Sequence, residues 1–75
     1  MQLYEKLRAY RMANGITQTH VAKIMRMSVK KLNAIEKGRQ KLSADMFLEI
    51  CKDGLKVDPA VFFAEDVLEI KKKGA

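Results

Sequence analysis

The side chains best suited to recognising another molecule fall on one outward strip of a helix predicted over residues 28–37. At helical spacing, the face opposite Leu32 and Ile35 carries Val29, Lys30, Asn33 and Ala34. Lysine can donate to guanine O6 and N7, asparagine can bond adenine at two positions, and valine or alanine can touch a thymine methyl group. These residue types predict a strip that reads base edges in the major groove.

Polar and basic residues flank this strip and are suited to holding a phosphate backbone. They are Arg26, Ser28, Lys31, Lys37, Arg39 and Lys41. Lysines and arginines that meet phosphates displace condensed counterions, which makes binding salt-dependent. The alternative is that the lysines only solvate an exposed helix, and for Lys37, far from the helix start, the two interpretations are balanced.

Catalytic chemistry has no comparable signal in this sequence. It contains no nucleophile with a partner base, no paired carboxylates and no phosphate-binding glycine loop. His20 and Cys51 have no recognised metal-ligand spacing, and a single cysteine forms no intramolecular disulfide. We therefore expect no enzyme, cofactor, metal or small-molecule ligand, with Cys51 as a small buried hydrophobic residue.

Length and charge agree with a small binding domain. The 75 residues carry a formal net charge of +6, which suits a polyanionic partner, although membrane-surface and ribosomal proteins can also be basic. No apolar run approaches the roughly 20 residues of a membrane span. Glu5 and Lys6 lie where a signal peptide would have an uninterrupted apolar run. We expect a cytoplasmic protein that does not bind membranes.

Apolar residues at helical spacing, opened by capping residues and closed by glycines, predict an all-α, five-helix bundle. The first helix covers residues 2–14, and Gly15 ends it. Thr17, Ser28 and Ser43 cap the next three helices, over residues 18–25, 28–37 and 43–54, with Gly38 and Gly54 as stop signals. A fifth begins at residues 58–59. The domain is expected to span residues 1–70, and the basic tail, residues 71–75, is expected to fray.

The second and third helices meet the packing requirements of a helix-turn-helix, in which two short helices cross near perpendicularly. That crossing needs apolar residues at fixed positions and a small residue near the start of the first helix. Ala22 is the small residue. The apolar positions are filled by Val21, Met25, Met27, Leu32 and Ile35.

The sequence over residues 7–57 resembles the Xre-type repressor family, to which phage repressors belong. The residues that carry this resemblance are Leu7-Arg8, Arg11, Gly15-Ile16-Thr17-Gln18, Val21-Ala22, Ser28, Leu32 and Ile35-Glu36-Lys37-Gly38. The resemblance implies a phage repressor-like DNA-binding domain whose third helix lies in the major groove while the second crosses the backbone. It also implies that Gln18 reaches a phosphate and that Arg11 pairs with Glu36.

Three features depart from the family pattern. Arg26 stands at a turn position where the family usually has glycine, so a positive φ there would cost on the order of 1 kcal/mol unless the turn adjusts. His20 replaces a glutamate that would complete a capping box, and we expect it to be exposed. Residues 50–55 also form a link that is one residue longer than usual.

The predicted fifth helix carries more apolar residues than one face of a short helix needs. Phe62 and Phe63 are adjacent and point about 100° apart, so we expect one of them, or Leu68, to lie in a symmetric dimer interface. Residues 54–57 together with residues 61–63 also look like the tail of restriction-modification controller proteins. The sequence thus predicts a DNA-binding regulator, by default a homodimeric repressor on an inverted-repeat operator. The alternative is a protein interaction module of antirepressor or antitoxin type.

Overall fold

The computed structural model describes residues 2–63, and every regular element in that part of the chain is helical. The elements are α1 (Leu3–Ala13), α2 (Gln18–Ile24), α3 (Val29–Glu36), α4 (Ala44–Glu49), a π-helical turn (Ile50–Gly54) and a 3₁₀-helix (Pro59–Phe63). The all-α class is confirmed. The count of five helices is not matched, because a short 3₁₀-helix stands where the fifth helix was expected. Leu68 and the predicted tail lie outside the described residues.

Local side-chain caps start three of the helices as predicted. The hydroxyl oxygens of Thr17, Ser28 and Ser43 each accept a bond from the backbone N–H three residues later, at 3.0, 3.0 and 3.1 Å. Each cap satisfies a backbone donor that the first helical turn leaves without a partner. The caps therefore fix where α2, α3 and α4 begin.

Left-handed backbone conformations follow the helices. Gly15 and Gly38 adopt φ values of 67° and 76°, as their stop roles require. Gly54 does not, and the positive φ after the fourth helix belongs to Lys56, at 56°. Gly54 has a packing role instead, because an added Cβ atom would lie 3.1 Å from Cγ1 of Val21. The helical run that begins with α4 does end at Gly54, as predicted, but without the left-handed backbone expected of a glycine stop.

A π-helical turn lies in the link for which the sequence predicts one extra residue. The Leu55 N–H donates to the Ile50 carbonyl at 2.8 Å, a bond that spans five residues. A π-helical turn arises when a helix accepts one more residue than α-helical geometry allows. Ile50, Cys51 and Leu55 all remain buried around it, so the longer link does not disturb the core.

The core lies between α1, α2, α3 and the segment that follows α4, and Phe62 closes it. The Phe62 ring packs edge-to-face on Tyr10 and Phe47, with centroids 5.6 and 5.8 Å away, and Phe62 is 7% exposed. Lys6 Nζ also donates to the Phe62 carbonyl at 3.1 Å. Phe62 therefore belongs to the core and not to a dimer surface, whereas Phe63 is 43% exposed.

Candidate nucleic-acid interface

The turn between α2 and α3 sets the position of the predicted reading strip. The N–H groups of Arg26 and Met27 donate to the carbonyls of Lys23 and Ala22, at 3.2 and 3.0 Å. This is the bonding pattern of a Schellman motif, which usually has glycine at the left-handed position. Here Arg26 holds that position, with φ of 56°, so the strain predicted from the sequence is present. Ala22 is buried where the two helices meet.

The outward strip of α3 is presented to solvent unevenly. Val29 is 40% exposed at the first helical position, and Lys30 beside it is also exposed. Asn33 and Ala34 are half-buried one turn further along. The exposure of Val29 leaves its methyl groups accessible to a partner.

The predicted backbone-contacting residues, Gln18 apart, lie on α3 or in the chain segments just before and after it. Ser28 Oγ caps α3, and Lys37 ends the same helix. Except for Gln18, which is half-buried, the members of the set are exposed: Arg26, Ser28, Lys31, Lys37, Arg39 and Lys41. The charged members of this set are therefore accessible to solvent.

A buried ion pair ties α1 to α3 behind the strip, as the resemblance implied. Arg11 Nε and Nη2 donate to Glu36 Oε2 and Oε1 at 2.8 and 3.0 Å. The third guanidinium nitrogen, Nη1, donates to the Ile16 carbonyl at 2.8 Å. The two side chains are 10% and 5% exposed. Two parallel bonds of this kind fix geometry as well as charge, so α3 is held rigidly against α1.

The amide of Gln18 joins this ion pair to the strip. Gln18 Nε2 donates to Glu36 Oε1 at 3.0 Å and to Asn33 Oδ1 at 3.1 Å. Both amide hydrogens are thus used within the domain, and the phosphate contact expected of Gln18 stays a prediction. Sequence reasoning missed the bond to Asn33, since it depends on the crossing of α2 and α3 and no spacing signals it.

Charge is segregated along the chain. Between Lys6 and Ser43 the sequence contains a single acidic residue, Glu36, and Arg11 neutralises it. Among residues 2–63, the exposed acidic side chains are Glu5 at the start of α1 and, from α4 onwards, Asp45, Glu49, Asp53 and Asp58. The reading strip and its flanking residues therefore carry an uncompensated positive charge.

The described residues show no arrangement suited to metal or thiol chemistry. No group of three His, Cys, Asp or Glu side chains among residues 2–63 could hold a metal ion. His20 is exposed on α2, as expected. Cys51 is fully buried, and burial, helped by the charge of Asp58, raises the pKa of its thiol to about 11. A thiol with such a pKa is not a nucleophile at neutral pH.

Within the part of the chain that is described, no helix has the length and apolarity needed to cross a membrane.

Comparison with known proteins gives one finding on the family. A family model described as a helix-turn-helix domain matches residues 2–62 of the chain. Comparisons with curated proteins and with solved structures gave no significant match. The matched region contains α1 to α4, the π-helical turn and most of the 3₁₀-helix.

Proposed function

The chain belongs to the family of helix-turn-helix domains, and from this premise we propose that it is a sequence-specific DNA-binding transcriptional regulator. The observation that carries the proposal is the outward face of α3. This face combines an exposed valine with lysine and asparagine side chains, and further exposed cations lie on α3 and in the segments before and after it. Residue types suited to reading bases and residue types suited to binding phosphates thus lie on or next to the same helix, which supports the proposal.

Repression by occupying an operator is the simplest mechanism for this domain. A single α3 helix reads only a few base pairs, so two copies on an inverted repeat would multiply specificity. We therefore propose a homodimeric repressor, located in the cytoplasm, whose activity is set by its concentration, by dimerisation or by a partner protein.

The two roles assigned to the interface are separated by titrating variants against a selected DNA site and a scrambled one. In vitro selection from random duplexes supplies the site. Asn33→Ala and Lys30→Ala should each cost about 1 to 3 kcal/mol on the selected site and little on the scrambled one. Lys41→Ala should weaken both sites alike and lower the salt slope by about one unit. Equal losses on both sites for Lys30→Ala and Asn33→Ala would show that α3 is only an electrostatic anchor.

Salt dependence tests the proposal against a protein interaction module. A dimer that neutralises about six to ten phosphates should lose about 10³ to 10⁵ in affinity between 50 and 200 mM salt. Fluorescence anisotropy with a labelled duplex measures this loss directly. A nearly flat response would favour the protein-binding alternative, in which exposed apolar residues such as Val61 and Phe63 form the contact.

A further inference from the structure

A series of hydrogen bonds connects α1 to the outward face of α3. The buried ion pair at one end of the series determines which atoms donate and which accept along it. The Glu36 carboxylate, paired with Arg11, can only accept hydrogen bonds. Gln18 lies 3.0 Å from it and must therefore present its nitrogen, Nε2, and not its oxygen. The same nitrogen lies 3.1 Å from Asn33. Asn33 must therefore accept this bond with its carbonyl oxygen, Oδ1, which leaves its Nδ2 group free to donate to a ligand.

We propose that Gln18 is a positioning residue that presents Asn33 to DNA with its amide in one fixed orientation, and so makes adenine the preferred base. The inference rests on the proposed function. Asn33 Nδ2 can donate to N7, the major-groove acceptor that both purines share, while Oδ1 keeps one lone pair for the N6 amino group of adenine. Guanine places an acceptor, O6, where Oδ1 lies, and cytosine places a donor against Nδ2.

The orientation matters because an unrestrained asparagine amide can turn over and exchange its donor and acceptor. In the reversed orientation Asn33 would offer an acceptor to the cytosine amino group, and base discrimination at this position would weaken. The Arg11–Glu36 pair suppresses the reversed state, because turning Gln18 over would bring its carbonyl oxygen against the carboxylate. The Arg11–Glu36 pair, although it does not contact DNA itself, thereby affects which base Asn33 prefers.

The test variant is Gln18→Met, which keeps the length of the side chain but removes both amide groups. Wild type and variant are titrated against the selected operator and its single base-pair substitutions. Discrimination between adenine and the other bases should fall about tenfold at one position in each half-site and stay unchanged elsewhere. The matched control is Asn14→Ala, which removes a side-chain amide bond of 2.8 Å to the Tyr10 carbonyl without a link to α3. Its base preferences should equal those of wild type.

A measurement without DNA separates the inference from the proposed function. In ¹⁵N-labelled protein, side-chain relaxation should report a rigid Asn33 amide in wild type and in Asn14→Ala, and a mobile one in Gln18→Met. An Asn33 amide that stays rigid in Gln18→Met, or base discrimination that is unchanged at every operator position, would overturn the inference and leave the proposed function standing. A wild-type protein without base preference in duplex DNA would refute the proposed function, and the inference with it.

Discussion

Arg26 joins a strained backbone to the proposed interface. It holds the left-handed position of the turn between α2 and α3, at φ of 56°, where glycine would be relaxed. The side chain is exposed beside the reading strip, so its charge is available to a phosphate. The residue would thus lower the free energy of unfolding while raising affinity for DNA.

Arg26→Gly should separate these two effects. We expect the free energy of unfolding to rise by about 1 kcal/mol, because glycine adopts this conformation without strain. Affinity for selected and scrambled DNA should fall together, with a salt slope lower by about one unit. Chemical denaturation and anisotropy titrations measure the two quantities.

Lys56→Gly is a matched control, since Lys56 has the same φ of 56° and is also a cation, but it follows the π-helical turn. It should gain stability without losing DNA affinity. Unchanged DNA binding in Arg26→Gly would remove Arg26 from the interface.

At the scale of elements, the π-helical turn and α2 are coupled through Gly54. No left-handed φ requires glycine at this position, yet an added Cβ would lie 3.1 Å from Cγ1 of the fully buried Val21. The contact places the turn directly behind the helix that leads into the interface. Close packing, and not backbone freedom, is therefore the reason for glycine here.

Gly54→Ala should destabilise the fold even though alanine suits a helical backbone. Overpacking a core costs about 1 to 3 kcal/mol, whereas the loss of unfolded-state entropy returns about 0.4 to 1 kcal/mol. We expect a net decrease of roughly 1 kcal/mol in the free energy of unfolding. The measurement is a double-mutant cycle with Val21→Ala, whose smaller side chain leaves room for the new methyl group.

The cycle should give a favourable coupling of about 0.5 kcal/mol or more. Strict additivity of the two substitutions would show that the contact between Gly54 and Val21 does not limit packing.

Features within one element could be predicted from local patterns in the sequence, whereas contacts between elements could not. The caps at Thr17, Ser28 and Ser43 were predictable because each bond closes within three residues. The Gln18–Asn33 bond spans fifteen residues and depends on how two helices cross, which no local pattern encodes. Adjacent phenylalanines likewise could not be told apart until the packing of Phe62 on Tyr10 placed it in the core.

At the scale of the whole molecule, one end of the described chain offers an apolar surface and a different region carries the positive charge. Val61 and Phe63 are 48% and 43% exposed, next to the buried Phe62. Phe63 also lies edge-on to Phe47, with ring centroids 6.1 Å apart, which holds its ring against the domain. We expect a dimer that forms through Val61 and Phe63 to leave α3 of each copy free for DNA.

Phe63→Ser should therefore weaken self-association without unfolding the domain. A central aromatic contact in an interface contributes more than about 1.4 kcal/mol, so dimerisation should weaken at least about tenfold. Sedimentation velocity at DNA-binding concentrations measures the dimer, and thermal unfolding at high dilution shows whether the monomer is intact. Met12→Ser is the control, because Met12 is 55% exposed on α1 and belongs to no predicted interface.

The symmetry of the selected DNA site tests the same dimer independently. In vitro selection should return an inverted repeat with half-site centres about one helical turn, or a multiple of it, apart. Phe63→Ser should lower affinity for this repeat far more than for an isolated half-site, because the second copy no longer binds cooperatively. A monomer at DNA-binding concentrations that binds the repeat as tightly after the substitution as before would contradict the dimer. Each α3 helix would then read its site alone.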